Sequence, residues 1–143
     1  GGDGDTVLRN GLDPVPRQSR DQLVALAQAA VPTTHLDFLE QRPLTHVTRD
    51  LLFVHAGIRP GVALAAQTED DLIWIRDGWL DDPRDHGRLV VHGHTALDHP
   101  HHYGNRVNLD GGAGYGRPLV PAVFEGRDVW TLTDAGRVPL LPD

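Results

Sequence analysis

Three short apolar runs, each closing on a glycine-containing turn, constrain this chain more than any other feature. Leu51-Leu52-Phe53-Val54 leads into His55-Ala56-Gly57, Arg88-Leu89-Val90-Val91 into His92-Gly93-His94-Thr95, and Arg106-Val107-Asn108-Leu109 into Asp110-Gly111-Gly112. Continuous apolar runs of this length read as strands buried on both faces. The glycines past them let the backbone turn sharply away. Aligned side by side, such strands bring their tips to one edge, where open α/β sheets build ligand sites. The predicted class is therefore α/β. Two more strands are expected over Leu119 to Phe124, punctuated by Pro121, and Asp128 to Leu132, paired as an antiparallel hairpin around Glu125-Gly126-Arg127.

Ahead of the strands the pattern is helical. Gly1-Gly2-Asp3-Gly4-Asp5 and Asn10-Gly11-Leu12-Asp13-Pro14 are turn-rich and read as irregular. Ser19 followed by Gln22 matches a capping box, Leu23, Leu26, Ala27 and Ala30 follow at helical spacing, and Pro32 stops the run. Thr33-Thr34 offers a second N-cap before Leu36, Phe38 and Leu39, so a helical hairpin precedes the sheet. Glu69 to Ile75 carries acids followed by Leu72, Ile73 and Ile75, a stretch too short to assign. There is no internal repeat and no linker that divides the chain, so residues 1–143 read as one unit.

Composition closes off much familiar chemistry. The chain has no cysteine, which excludes disulfide scaffolds, thiolate metal sites and cysteine nucleophiles. All 13 basic residues are arginine, so there is no phosphate-loop or Schiff-base lysine. Ser19 is the only serine and no nucleophile elbow surrounds it. A net charge of −7 argues against a nucleic-acid partner. No apolar run is long enough to span a bilayer and no signal segment opens the sequence, so a soluble, cytoplasmic protein is expected. No methionine stands anywhere in the chain, which suggests a processed or partial sequence.

Of the nine histidines, those at strand ends carry the chemistry. His55 sits at one tip. His92 and His94 sit at another, one residue apart, and in a strand would face the same side. An imidazole held rigidly by a sheet can bind a metal or a phosphate, or be a hydrogen-bonded structural residue. Arg76 could clamp a phosphate bidentately, or form an ion pair with Asp77, Asp81 or Asp82. The acids Asp77, Asp81, Asp82 and Asp85 read as a solvated loop, lacking the spacing of a calcium site. Asp98-His99-Pro100-His101-His102 reads as a loop able to bind transition metals opportunistically. The glycines from Gly111 to Gly116 do not have dinucleotide-loop spacing; a loop beside the site, with Tyr115 at its rim, fits better.

Three segments in order, Phe53-Val54-His55-Ala56-Gly57-Ile58-Arg59-Pro60, Leu72-Ile73-Trp74-Ile75-Arg76 and Val90-Val91-His92-Gly93-His94-Thr95, resemble the phosphoprotein phosphatase superfamily of metallo-dependent phosphatases. Bacterial and phage serine/threonine phosphatases, and the related diadenosine-tetraphosphate hydrolases, are the nearest types. Arg106-Val107-Asn108-Leu109-Asp110-Gly111-Gly112 resembles the strand and turn that follow, and Gly1-Gly2 with Thr6, Leu8 and Gly11 resembles an interior family segment. The resemblance implies the C-terminal portion of a calcineurin-like metallophosphoesterase domain, an α/β/β/α sandwich. It implies His55 and His94 as imidazole ligands of one metal, and Arg76 as the holder of phosphoryl oxygens. His92, which has no ligand counterpart, would orient a neighbour, with Asp110 and Tyr115 behind the ligands or at the rim.

The implied chemistry is hydrolysis of phosphomonoesters, above all phosphoserine and phosphothreonine, by water activated between two divalent ions (Mn, Fe or Zn). The family's earlier motifs Gly-Asp-x-His-Gly, Gly-Asp-x-x-Asp-Arg-Gly and Gly-Asn-His-Glu are not in this chain. The resemblance therefore implies an incomplete metal site here, completed by an N-terminal half that the chain does not contain. The implied partner is a phosphoprotein or a small phosphoester. Symmetrical cleavage of dinucleoside polyphosphates and non-catalytic binding of metal or phosphate are the alternatives.

Overall fold

The computed structural model describes residues 19–143, and the readings made on Gly1 to Pro14 lie outside them. The chain divides into two compact units, Gly1–Arg42 and Pro43–Asp143. In the first, α1 (Arg20–Ala30) begins on the expected capping box: Gln22 N donates to Ser19 Oγ, and Ser19 N donates to Gln22 Oε1 at 2.9 Å. α2 (Thr33–Glu40) starts one residue earlier than the Thr33-Thr34 signal implied. Pro32 takes the N-cap position; it has no side-chain acceptor, and its carbonyl accepts from His35 N at 2.9 Å. Neither helix buries a residue.

The second unit is mixed α/β with two sheets. A five-stranded sheet has the order β1-β2-β3-β5-β4, from β1 (Thr45–Val47), β2 (Leu51–Val54), β3 (Leu89–His92), β4 (His101–His102) and β5 (Arg106–Asn108). β2, β3 and β5 are parallel neighbours, with Leu51 opposite Leu89 and His92 opposite Asn108. Their C-terminal tips therefore share one edge. β1 and β4 flank them antiparallel. A second, antiparallel sheet contains β6 (Ala122–Glu125), β7 (Asp128–Thr133) and β8 (Gly136–Pro139).

Strand alternation distributes the core over both faces of the first sheet. Leu52, Val54 and Val90 pack with Leu72, Ile75 and the fully buried Trp79. These last three belong to α3 (Glu69–Trp74) and the segment after it, capped by Thr68 accepting from Asp71 N at 3.2 Å. Leu51, Leu89 and Val107 point the other way, onto Val129 of β7, and Phe53 meets Phe124 of β6 edge-on at 5.8 Å. The layers are thus a helix with its loops, a five-stranded sheet and a three-stranded sheet.

The structure departs from the sequence-based expectations at several elements. The strand expected over Leu119 to Phe124 begins only at Ala122, since Pro118 and Pro121 cannot donate to a ladder. β1, β4 and β8 were not expected. His101 and His102, read as loop, pair with β5. Asp82, read as part of a solvated loop, is buried and takes Arg84 Nε at 2.8 Å, which holds its carboxyl below the usual range. Among the described residues no helix is long and apolar enough to cross a membrane.

Candidate metal centre

The parallel register brings His55 and His94 together at the edge formed by the strand tips. Gly93 N donates to His55 O at 2.9 Å, extending the β2–β3 ladder one step beyond the strands. Ala56 N donates to Leu72 O at 2.9 Å, fixing the turn after His55 against the end of α3. That turn needs Gly57, because a Cβ there would stand 2.2 Å from Trp79 Nε1. His55 Nε2 and His94 Nδ1 lie 3.2 Å apart, with ring centroids at 5.0 Å.

His94 does not continue the strand. β3 ends at His92, and His94 has a φ of 65°, the only non-glycine residue with positive φ among those described. A left-handed conformation at a side chain is uncommon and strained by about 1–2 kcal/mol. The expectation that His92 and His94 share a face as strand residues therefore does not apply. His92 is 3% exposed and packs on Trp79 at 5.4 Å, whereas His94 turns to His55 and to Trp74 at 5.5 Å.

Electrostatics separate the two further. Burial pushes the His92 imidazole down to about 4, so it is neutral at physiological pH and buried as an uncharged group. His94 is also held below the ordinary value, first by burial and then by the charges of Arg76 and His55, with Asp110 pulling the other way. A neutral imidazole has a lone pair to offer, which is the form a cation needs.

Arg76 follows α3, within electrostatic range of His94, and makes no ion pair among the described residues; the bridges to Asp77, Asp81 or Asp82 do not form. With Trp74 it borders a recess of about 420 Å³. Arg59 also lines it, donating Nε to Asp71 at 2.9 Å, with Thr68 Oγ1 on the same carboxylate at 2.8 Å.

The third tip braces the second. Asn108 Nδ2 donates to Thr95 O at 2.8 Å, and Leu97 N donates to Asp110 O at 2.8 Å. Asp110 Oδ1 accepts from Gly112 N at 2.9 Å, and its carboxylate lies against Gly93. Tyr115 is 83% exposed in the short helix Ala113–Tyr115, with no side-chain hydrogen bond. The residues 98–102 do not converge: His101 pairs with Asp143 at 2.6 Å, while buried His102 accepts from Gly104 N at 3.0 Å.

Two features escaped the sequence reading. Trp74 packs on His94, and Trp79 supports both Gly57 and His92. The available signal was the Trp-x-Arg spacing for Trp74; nothing local marked Trp79.

The donor set can be tested against a bound cation. Two imidazole nitrogens on one ion, each at roughly 2.1 Å, stand about 3.0–3.4 Å apart for octahedral to tetrahedral angles. The observed 3.2 Å falls inside that span. His94 Nε2 is buried without a hydrogen-bond partner, while its Nδ1 has only His55 Nε2, at 3.2 Å, as a partner among the described residues. Among the described residues no group of three or more His, Asp or Glu forms a metal site. The pair fits part of a coordination shell. No protein-family model, curated protein or solved structure matches the chain.

Proposed function

We propose that the chain is part of a metal-dependent phosphoesterase acting on phosphomonoesters, above all phosphoserine and phosphothreonine. The observation that carries this is the 3.2 Å approach of His55 Nε2 to His94 Nδ1, with the Arg76 charge acting on the same imidazole. In this reading the fold is the C-terminal portion of a calcineurin-like α/β/β/α sandwich. His55 and His94 hold one divalent ion (Mn, Fe or Zn), and residues N-terminal to this chain supply the remaining ligands of a two-ion centre. Bound divalent ions lower the pKa of a water and neutralise phosphoryl charge. The chain's own contribution is positional. Arg76 holds phosphoryl oxygens, His92 stays neutral behind the strand tip, and the glycine loop before Tyr115 edges the site. The reading makes the protein soluble and cytoplasmic, with no nucleic-acid partner.

Release of phosphate from a phosphoserine peptide by the intact protein with Mn²⁺ tests it. His55→Ala and His94→Ala should each lower turnover by at least about 100-fold, and Arg76→Ala should both raise KM and lower kcat. Wild-type rates in all three variants would refute the assignment. One observation favours a second reading, symmetrical hydrolysis of dinucleoside polyphosphates: Trp74 is 61% exposed beside Arg76 and offers a face to a base. Turnover of diadenosine tetraphosphate above that of the phosphopeptide, lowered by Trp74→Ala, would select it. Metal binding without turnover of either substrate would leave a non-catalytic module.

A further inference from the structure

The sheet face that carries Leu52 holds a second recess, sharing no lining residue with the His55–His94 site. It has a volume of about 540 Å³ and opens between the loops over residues 58–67 and 84–88. Pockets of that size bury small organic ligands. Its floor is apolar: Leu52 and Ile58 are core residues, and Leu64 extends the surface outward at 37% exposure. Its rim carries Arg84, His86 and Arg88 with one lining acid, Asp85, which faces Arg127 at 3.8 Å; the buried Asp82 behind the rim pairs with Arg84 Nε at 2.8 Å.

Both walls are fixed before any ligand arrives. Gln67 Oε1 accepts from Arg59 N at 2.7 Å, while its Nε2 donates to Val62 O at 2.9 Å. Asn105 Nδ2 bridges the carbonyls of Asp82 and Arg84 at 2.7 and 2.8 Å. Arg84 anchors its Nε on Asp82 and lays its guanidinium over Gly61, where a Cβ would stand 3.1 Å from Nη1. Arg88 anchors its Nε on Thr48 O at 3.0 Å.

The terminal nitrogens of Arg84 and Arg88 have no hydrogen-bond partner among the described residues. By contrast Arg59, Arg117, Arg127 and Arg137 each place a terminal nitrogen on an acid. His86 adds to the contrast. Its side chain is 7% exposed, and its Nε2 makes no hydrogen bond, with Asp82 Oδ2 4.0 Å away. Two anchored guanidinium groups with unused donors, over an apolar floor, complement an anion that carries an apolar body. In a chain of net charge −7 such a patch runs against the overall field, so its attraction is local to the recess.

We propose that this recess binds a small amphipathic organic anion. Arg84 and Arg88 hold its carboxylate or phosphate head, and Leu52, Ile58 and Leu64 receive its apolar body. Calorimetric titration of the full chain with octanoate, octyl phosphate, inorganic phosphate and octanol tests this and distinguishes the head groups. At least one amphipathic anion should saturate with one-to-one stoichiometry, at least about tenfold tighter than inorganic phosphate or octanol. Arg88→Gln and Leu64→Asp should each weaken it by about tenfold, whereas His55→Ala should leave it unchanged, keeping the result independent of the metal centre. Saturation by neither anion below about 10 mM would overturn the inference. So would equal binding of inorganic phosphate, or wild-type affinity in both recess variants.

Discussion

Histidine is densest between residues 99 and 102, yet the imidazoles that converge are His55 and His94, 39 residues apart. In the dense region the two rings of β4 are already occupied. His101 pairs with Asp143, and His102 is buried and accepts from Gly104 N. At the strand tips the rings face each other, and one of them sits on a strained backbone. Side-chain count therefore says little about a site. What matters is whether the backbone brings ring nitrogens to a common point, as it does for His55 and His94.

The largest effect that could break this comparison lies at the glycines. Gly57→Ala drives a Cβ into Trp79, which is fully buried and cannot yield, so unfolding free energy in urea should fall by about 3 kcal/mol or more. Gly104→Ala, beside His102, meets nothing within 4 Å and has only its φ of +84° against it; a loss of about 1 kcal/mol is expected. Equal losses would mean that the His55 turn is no more constrained than the surface loop.

Acid should separate the regions next. His92 stays neutral in the fold down to about pH 4, while the unfolded chain takes up its proton from about 6.5 downward. The unfolded state thus binds more protons between these values. The stability due to neutral His92 is present above about pH 6.5, and roughly 3 kcal/mol is lost as pH falls through that window. His86 and His102 shift in the same direction, chiefly by burial. Urea titrations at pH 7 and pH 4 should show a smaller pH dependence in His92→Gln than in the wild type. The smallest effect belongs to the exposed His101–Asp143 pair. His101→Ala should change stability by less than about 0.5 kcal/mol and leave metal affinity unaltered.

The parts of the fold legible in the sequence are those governed by local chemistry. The Ser19–Gln22 capping box and the three apolar runs follow from side-chain type and spacing alone. β1, β4 and β8 are short or exposed, and take strand geometry from a neighbour's ladder rather than from their own pattern. The meeting of His55 with His94 depends on parallel register and on a left-handed residue, and neither is written in local composition. Trp79 is similarly hidden, because its role depends on which glycine it lies against.

The proposed metal centre requires His55 and His94 to share one cation. Zn²⁺ titration followed by nitrogen NMR of the imidazole rings tests it most directly. His55 Nε2 and His94 Nδ1 should shift together along a single binding curve, with His101 and His102 unmoved. Separate midpoints for the two rings, or a response confined to residues 99–102, would contradict it.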